Sequence, residues 1–274
     1  MTKIVPLAVM DYDTIQLRPL TGTIGAEVDG VDLRNIDDDT FTELHDAFLR
    51  YKVLFYRDQH LTDEEHLAFA RRWGPLEIHP VARNHPEHPE LLVLDSTAER
   101  GANAATWHSD VTFEETPPLG SILHGVIVPP FGGDTLFTNM ELAYERLPDD
   151  VRSSVEELFA AHTPAMYYVH NAAARELPEQ IHPVIRTHPE TGRRSIYVNH
   201  TFTSRIEGVD PVESERLLTY LADQAKVPEH QCRFRWQPDS FAQWDNRCTQ
   251  HYASADYASH RRMIRATIRG DRPR

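Results

Sequence analysis

Ser121-Ile-Leu-His-Gly-Val-Ile-Val, Thr135-Leu-Phe-Thr, Phe241-Ala-Gln-Trp and Met263-Ile-Arg-Ala-Thr-Ile are short runs rich in β-branched and aromatic residues, set among Gly, Pro, Asp and Asn. That pattern reads as strands. Further strands are expected around Thr14–Leu33, Val53–Tyr56, Leu91–Leu94, His182–Thr187, Ser195–Asn199 and Cys232–Trp236. Helical spacing of Phe41, Leu44, Phe48 and Leu49 behind a capping Asp or Thr predicts a helix from Asp39 to Leu49. A second begins near Leu61, where Thr62 and Glu65 have the spacing of a capping box. Others are expected over Met140–Leu147, Asp149–Ala161 and Pro211–Gln224. Many short strands with helices at the edges predict an α+β fold built around a β-sandwich or barrel.

The chain has 274 residues, 40% of them hydrophobic and 26% charged, which suits one large domain or two small ones. No internal repeat or long linker divides it. With 28 Lys and Arg against 42 Asp and Glu, the net charge of -14 repels phosphate backbones and anionic membrane surfaces, so nucleic acid is not an expected partner. No stretch approaches the ~18 apolar residues of a membrane span, and the N-terminus reads as no signal peptide, which makes a cytoplasmic location the expectation. Cys232 and Cys248 are the only cysteines, too few for a disulfide framework or a thiolate zinc site. A bound metal would use His and carboxylate.

Trp107-His108-Ser109-Asp110 places an imidazole and a carboxylate two positions apart, on one face if the segment is extended. A second histidine, His251, follows the strand that ends at Trp244. Two His and one carboxylate on one face of an octahedron form the site of non-haem Fe(II) oxygenases, which leaves coordination positions open. His-x-Asp alone is a weak signal and more often marks a solvent-facing loop. The long segment between His79 and Trp107, rich in Pro, Asn, Glu and Gly, is where a lid over residues 80–106 is expected.

The chain resembles the taurine dioxygenase family of 2-oxoglutarate-dependent oxygenases over nearly its full length. The resemblance is carried by Pro19-Leu-Thr-Gly-Thr-Ile-Gly-Ala-Glu-Val-Asp-Gly-Val-Asp-Leu, Trp107-His-Ser-Asp-Val-Thr-Phe, Gly132-Gly-Asp-Thr-Leu-Phe-Thr and His182-Pro-Val-Ile-Arg-Thr-His-Pro. It continues in Tyr197-Val-Asn, Phe202-Thr-Ser-Arg-Ile, Trp244-Asp-Asn-Arg-Cys-Thr-Gln-His-Tyr-Ala and Arg265-Ala-Thr-Ile-Arg-Gly-Asp. It implies one catalytic domain over residues 1–274 with a double-stranded β-helix (jelly-roll) core and flanking helices. Fe(II) would be held by His108, Asp110 and His251, with 2-oxoglutarate and O₂ as cosubstrates.

The resemblance further implies that Thr135 and an arginine meet the distal carboxylate of 2-oxoglutarate. Counting forward from His251 selects Arg262; aligning the strand selects Arg261, with the preceding loop one residue short. Alternation favours Arg261, because Arg261, Met263 and Arg265 share one face of a strand and Arg262 then points outward. Arg265, His79 and Phe202 match substrate-contacting positions. Where the taurine enzyme has a tyrosine and an asparagine, this chain has Ala82 and Ala104, so a larger or more apolar anion than taurine is expected; Met166 and Tyr167 read more readily as core or lid packing than as further lining of that space.

The implied reaction is hydroxylation of a small anionic substrate of organosulfonate type, with 2-oxoglutarate decarboxylated to succinate. An alkyl sulfate ester, an aryloxyalkanoate or another carboxylate is the alternative. A non-catalytic cupin-like binding protein is a weaker one, because it has no need of the cosubstrate groups. Weaker still is a zinc hydrolase, for which no general base is evident beside the metal pair. The family implies a homo-oligomer, dimer or tetramer.

Overall fold

Asp37 and Thr62 each start a helix by accepting a backbone hydrogen bond on the side chain, from Thr40 and Glu65 respectively. Glu65 returns the bond to the Thr62 amide at 2.8 Å, which completes the capping box the sequence announces. In the computed structural model, residues 6–8, 10–97, 105–168 and 171–274 are described. They run β1 (Gln16–Pro19), β2 (Ala26–Asp29), α1 (Asp38–Tyr51), β3 (Val53–Tyr56), α2 (Asp63–Arg71), β4 (Leu91–Ser96), β5 (Gly120–Ile127), β6 (Thr135–Asn139), α3 (Met140–Glu145) and α4 (Asp149–Val155). The remainder is β7 (Phe159–His162), β8 (Gln180–Pro183), β9 (Ile185–Thr187), β10 (Arg194–Ile196), β11 (Thr203–Ile206), α5 (Pro211–Ala222), β12 (Gln231–Phe234), β13 (Ser240–Asp245), β14 (Thr249–Ala253) and β15 (Arg261–Ile268).

Seven strands form one sheet in the order β1-β2-β3-β13-β5-β15-β4, antiparallel except for β2 beside β3. A three-stranded antiparallel sheet has the order β12-β6-β14. Because side chains alternate across a strand, each strand of the large sheet feeds two cores. Leu54, Tyr56, Ile122, Ile264 and Ala266 pack with Leu44 and Phe48 of α1 and Leu67 and Phe69 of α2. Their neighbours Val53, Phe55, Leu123 and Met263 turn the other way and pack with Phe137 of β6 and Phe234 of β12. The two sheets therefore face one another, with the Phe55 and Phe234 rings stacked at 4.1 Å between centroids. A third core lies beyond the small sheet, where Met140 and Ala143 of α3 meet Ile196, Ile206 and Leu221.

Two expectations are corrected. Asp149–Ala161 is not one helix: α4 ends at Val155, and Phe159–His162 is a strand paired with β8 and β11. The run Leu158-Phe-Ala-Ala favours helix locally, but pairing on both edges overrides that preference. His182–Thr187, expected as one strand, is divided at Val184, because β8 pairs with β7 whereas β9 pairs with β10. No helix among the described residues is long and apolar enough to cross a membrane.

Lys52 closes α1 at φ 66°, and its ammonium, 1% exposed, lies 2.9 Å from the equally buried Glu141 carboxylate on α3. That pair ties the helical face of the large sheet to the third core. Removing one partner of a buried ion pair strands the other in a poor solvent. Glu141→Ala should therefore lower unfolding stability by about 3–5 kcal/mol, read from the urea midpoint; a loss below ~1 kcal/mol would show the pair to be dispensable.

Candidate active site

His251 lies on β14, whose register against β6 sets it opposite Phe137. His108 belongs to no named strand, yet its backbone pairs with His251 in both directions: the His108 amide donates to the His251 carbonyl at 3.1 Å, and the His251 amide to the His108 carbonyl at 2.8 Å. The two imidazoles are held with ring centroids 4.2 Å apart. Trp244 and Phe137 enclose the His251 ring at 4.9 and 6.0 Å.

Asp110 completes the group. Its Oδ1 lies 3.9 Å from His108 Nε2 and 4.0 Å from His251 Nε2, and the ligand atoms of all three residues fall within 4.8 Å of one another. Asn246 clasps the backbone at this point. It accepts from the Asp110 amide at 2.6 Å and donates to the Asp110 carbonyl at 2.9 Å and the Pro118 carbonyl at 3.2 Å. Val111 follows at φ 52°, a left-handed conformation that costs a β-branched residue about 1–3 kcal/mol. The chain turns there immediately after presenting the carboxylate.

Protonation states follow from the surroundings. His108 Nδ1 lies 2.8 Å from the Thr106 carbonyl and must donate to it, which leaves Nε2 as a lone-pair donor facing Asp110. Burial lowers the pKa of both histidines, His251 to about 3, where the neighbouring His108 adds to the effect. Burial alone would raise the Asp110 carboxyl, but the Arg265 guanidinium beside it outweighs burial and holds the group below its usual range. Arg265 Nη1 donates to Asp110 Oδ1 at 2.6 Å and Ser121 Oγ to Oδ2 at 3.2 Å. Two neutral imidazoles and a carboxylate are the donor set a divalent transition metal takes, and the residues fit such an ion.

These groups open on a cavity of about 300 Å³ between the two sheets. Thr135 and Arg261 line it as well. Trp236 Nε1 donates to Thr135 Oγ1 at 2.9 Å, so the threonine keeps its own proton for another acceptor. Arg261 is 7% exposed, its Nε is buried without a hydrogen-bond partner, and it makes no salt bridge with a carboxylate among the described residues. Burial pulls its pKa down. Gly133, at φ 70°, leaves the room: a Cβ there would sit 3.3 Å from Arg261 Cδ and Nε and 3.1 Å from Tyr257. A buried guanidinium with open donors is unfavourable unless an anion meets it, so the site fits a carboxylate-bearing cosubstrate.

The remaining sequence candidates divide cleanly. Arg265, His79 and Phe202 line the cavity, together with Ala82, Met166 and Tyr167. Arg262, the other arginine considered for the cosubstrate, is not brought to the cavity: it is partly exposed, with Nη1 3.9 Å from Asp95. Alternation along β15 is the reason. Ala104 lies outside the described residues, as does part of the lid expected over 80–106. Sequence reasoning missed the supporting groups Asn246, Ser121 and Trp236, whose contacts join residues 101 to 136 positions apart except for Ser121, 11 from Asp110. An Asn after a strand reads only as a turn former.

A second group, His188, Asp245 and Cys248, also brings ligand atoms together. Asp245 is already saturated, by Arg247 at 2.7 and 2.8 Å and by His188 Nε2 at 3.0 Å. His188 Nδ1 accepts from the Glu190 and Thr191 amides. With no free lone pair on the ring, the cluster is a buried ion-pair network.

Known proteins resemble the chain along almost all its length. An alkylsulfatase of Acinetobacter baylyi is 39% identical, the match covering 94% of this chain and 86% of that protein. An alpha-ketoglutarate-dependent sulfate ester dioxygenase of Pseudomonas putida is 36% identical, over 94% of this chain and 91% of that one. Among solved structures, a taurine dioxygenase from Burkholderia xenovorans superposes with a TM-score of 0.84 at 40% identity, covering 95% of this chain and 91% of that one. Residues 16–267 match the family described as "Taurine catabolism dioxygenase TauD, TfdA family", and the chain belongs to this family of Fe(II)- and 2-oxoglutarate-dependent dioxygenases.

Proposed function

We propose that the protein hydroxylates an aliphatic C–H beside the anionic group of a small organic sulfonate or sulfate ester. One O₂ and one 2-oxoglutarate are consumed, and succinate, CO₂ and the hydroxylated product are released. His108, Asp110 and His251 hold the iron, Arg261 and Thr135 the distal carboxylate of 2-oxoglutarate, and Arg265, His79 and Phe202 the substrate. When bound with its cosubstrates, iron supplies the oxidant for the C–H bond. The chain's own residues bind, orient and exclude water.

One observation carries the reading: the same cavity contains the His108–Asp110–His251 group and a buried arginine with no carboxylate partner among the described residues. A binding protein with a structural metal has no use for the arginine. Substrate recognition follows from the other wall. Arg265 spends one donor on Asp110 and keeps a buried Nε unpartnered, while Leu92, Leu123, Met166, Phe202 and Ala82 offer apolar surface to a tail larger than that of taurine. A product hydroxylated at the carbon bearing a sulfonate splits to a carbonyl compound and sulfite; a sulfate ester releases sulfate in the same way. The reading includes a single catalytic domain with a jelly-roll core, working in the cytoplasm as a dimer or tetramer.

The purified protein should release CO₂ from 2-oxoglutarate only with Fe(II) and a sulfonate or sulfate ester present. His108→Ala and Asp110→Ala should both reduce that release to background, and wild-type turnover in either would exclude them as metal ligands. The two arginines are separable kinetically. Arg261→Ala loses charge-assisted hydrogen bonds and should raise the KM for 2-oxoglutarate by about 10–100-fold. Arg262→Ala should leave it within about twofold, the size of an exposed ion pair, and the reverse order would exchange their assignments.

A further inference from the structure

Tyr167 ends the short turn Ala165–Tyr167 and lines the same cavity as His79, Asp110 and Arg265. Its ring is fixed by aromatic contacts on three sides: edge-on to His79 at 5.9 Å, against Phe113 at 6.0 Å and roughly parallel to Phe202 at 6.3 Å. The hydroxyl forms no hydrogen bond with any described residue. Building the substrate assignment above one step further, we propose that the Tyr167 hydroxyl is a third donor to the substrate's anionic head, beside Arg265 and His79, and that it selects a three-oxygen sulfonate or sulfate head over a carboxylate.

The donors can be counted. His79 Nδ1 accepts from the Val81 and Ala82 amides at 3.2 and 3.0 Å, which puts the ring proton on Nε2. Burial, then Arg265, lowers the His79 pKa to about 4, so the ring stays a neutral donor. Arg265 has donors beyond the one given to Asp110. Burial raises the Tyr167 phenol to about 12, and the charged groups that reach it are Arg265 and Asp110, which places the hydroxyl in the field of the site and keeps its proton on. Ala82, also on this wall, supplies no side-chain donor.

Arg265 comes from β15, His79 from the segment after α2, and Tyr167 from the turn over 165–167. Donors from three elements suit a pyramidal head whose three oxygens point to three corners. A carboxylate has two oxygens in one plane, and Arg265 and His79 already serve both. The third donor thus adds binding energy to one head group and little to the other.

Calorimetric titration distinguishes these. The full-length protein, loaded with Fe(II) and 2-oxoglutarate under argon so that turnover does not compete, is titrated with hexanesulfonate, hexyl sulfate and hexanoate. Tyr167→Phe keeps the ring and its packing, and circular dichroism should match the wild type. It should weaken the sulfonate and the sulfate by about 5–20-fold, the range of one hydrogen bond to a charged group, and hexanoate by less than about twofold. In aerobic turnover the KM for the sulfur substrate should rise while kcat and the KM for 2-oxoglutarate hold. Equal weakening of all three ligands, no weakening, no measurable wild-type binding, or tighter wild-type binding of hexanoate would each overturn the assignment. Wild-type protein that binds the sulfonate with the expected Tyr167 dependence yet releases no CO₂ would support this inference and refute the oxygenase reading.

Discussion

Two backbone hydrogen bonds, between residues 108 and 251, hold the site together. One strand of chemistry comes from an irregular segment and the other from a sheet, and this pairing aligns them, with Ser109 Oγ donating to the Thr249 carbonyl at 2.7 Å and Asn246 clasping Asp110 beside it. Buried amides and carbonyls must find partners, so the register is costly to change. A slip by one residue would turn one imidazole out of the cavity. The small sheet is in turn held against the large one by Phe55, Phe137 and Phe234, and Arg261 and Arg265 of β15 line the same cavity.

The cavity concentrates charge of both signs on side chains that are themselves buried. His108, His251 and Asp110 favour a cation, whereas Arg261 and Arg265, which line the same cavity, favour anions. Outside, the chain carries a net charge of -14. Long-range steering therefore works against an anionic substrate, although it fades beyond about 8 Å at physiological salt. Recognition depends on short-range contacts to buried arginines, where a guanidinium is worth far more than on the surface.

Much of this was legible in the sequence, for identifiable reasons. His108 and Asp110 sit two residues apart, and the period of two along Arg261-Arg-Met-Ile-Arg265 distinguishes the inward arginine from the outward one. Such local regularities survive folding. What was not legible is long-range. Asn246 reads as a turn residue until the fold carries it to Asp110; Trp236 reads as core until it meets Thr135. The end of the helix expected to reach Ala161 was lost to strand pairing that no local pattern encodes. Tyr167 and Met166 read more readily as core or lid packing than as cavity lining, yet both line the cavity, because a sequence does not say which face of an irregular turn meets a void.

Asn246 has a consequence for the protein's life with its metal. By grasping the amide and carbonyl of Asp110 and the carbonyl of Pro118, its side chain fixes the ligand loop through protein groups alone. The contacts that shape this loop are thus made between protein groups, none of which is a side-chain atom of His108, Asp110 or His251, so the turn that carries the carboxylate is braced independently of whatever the carboxylate itself binds.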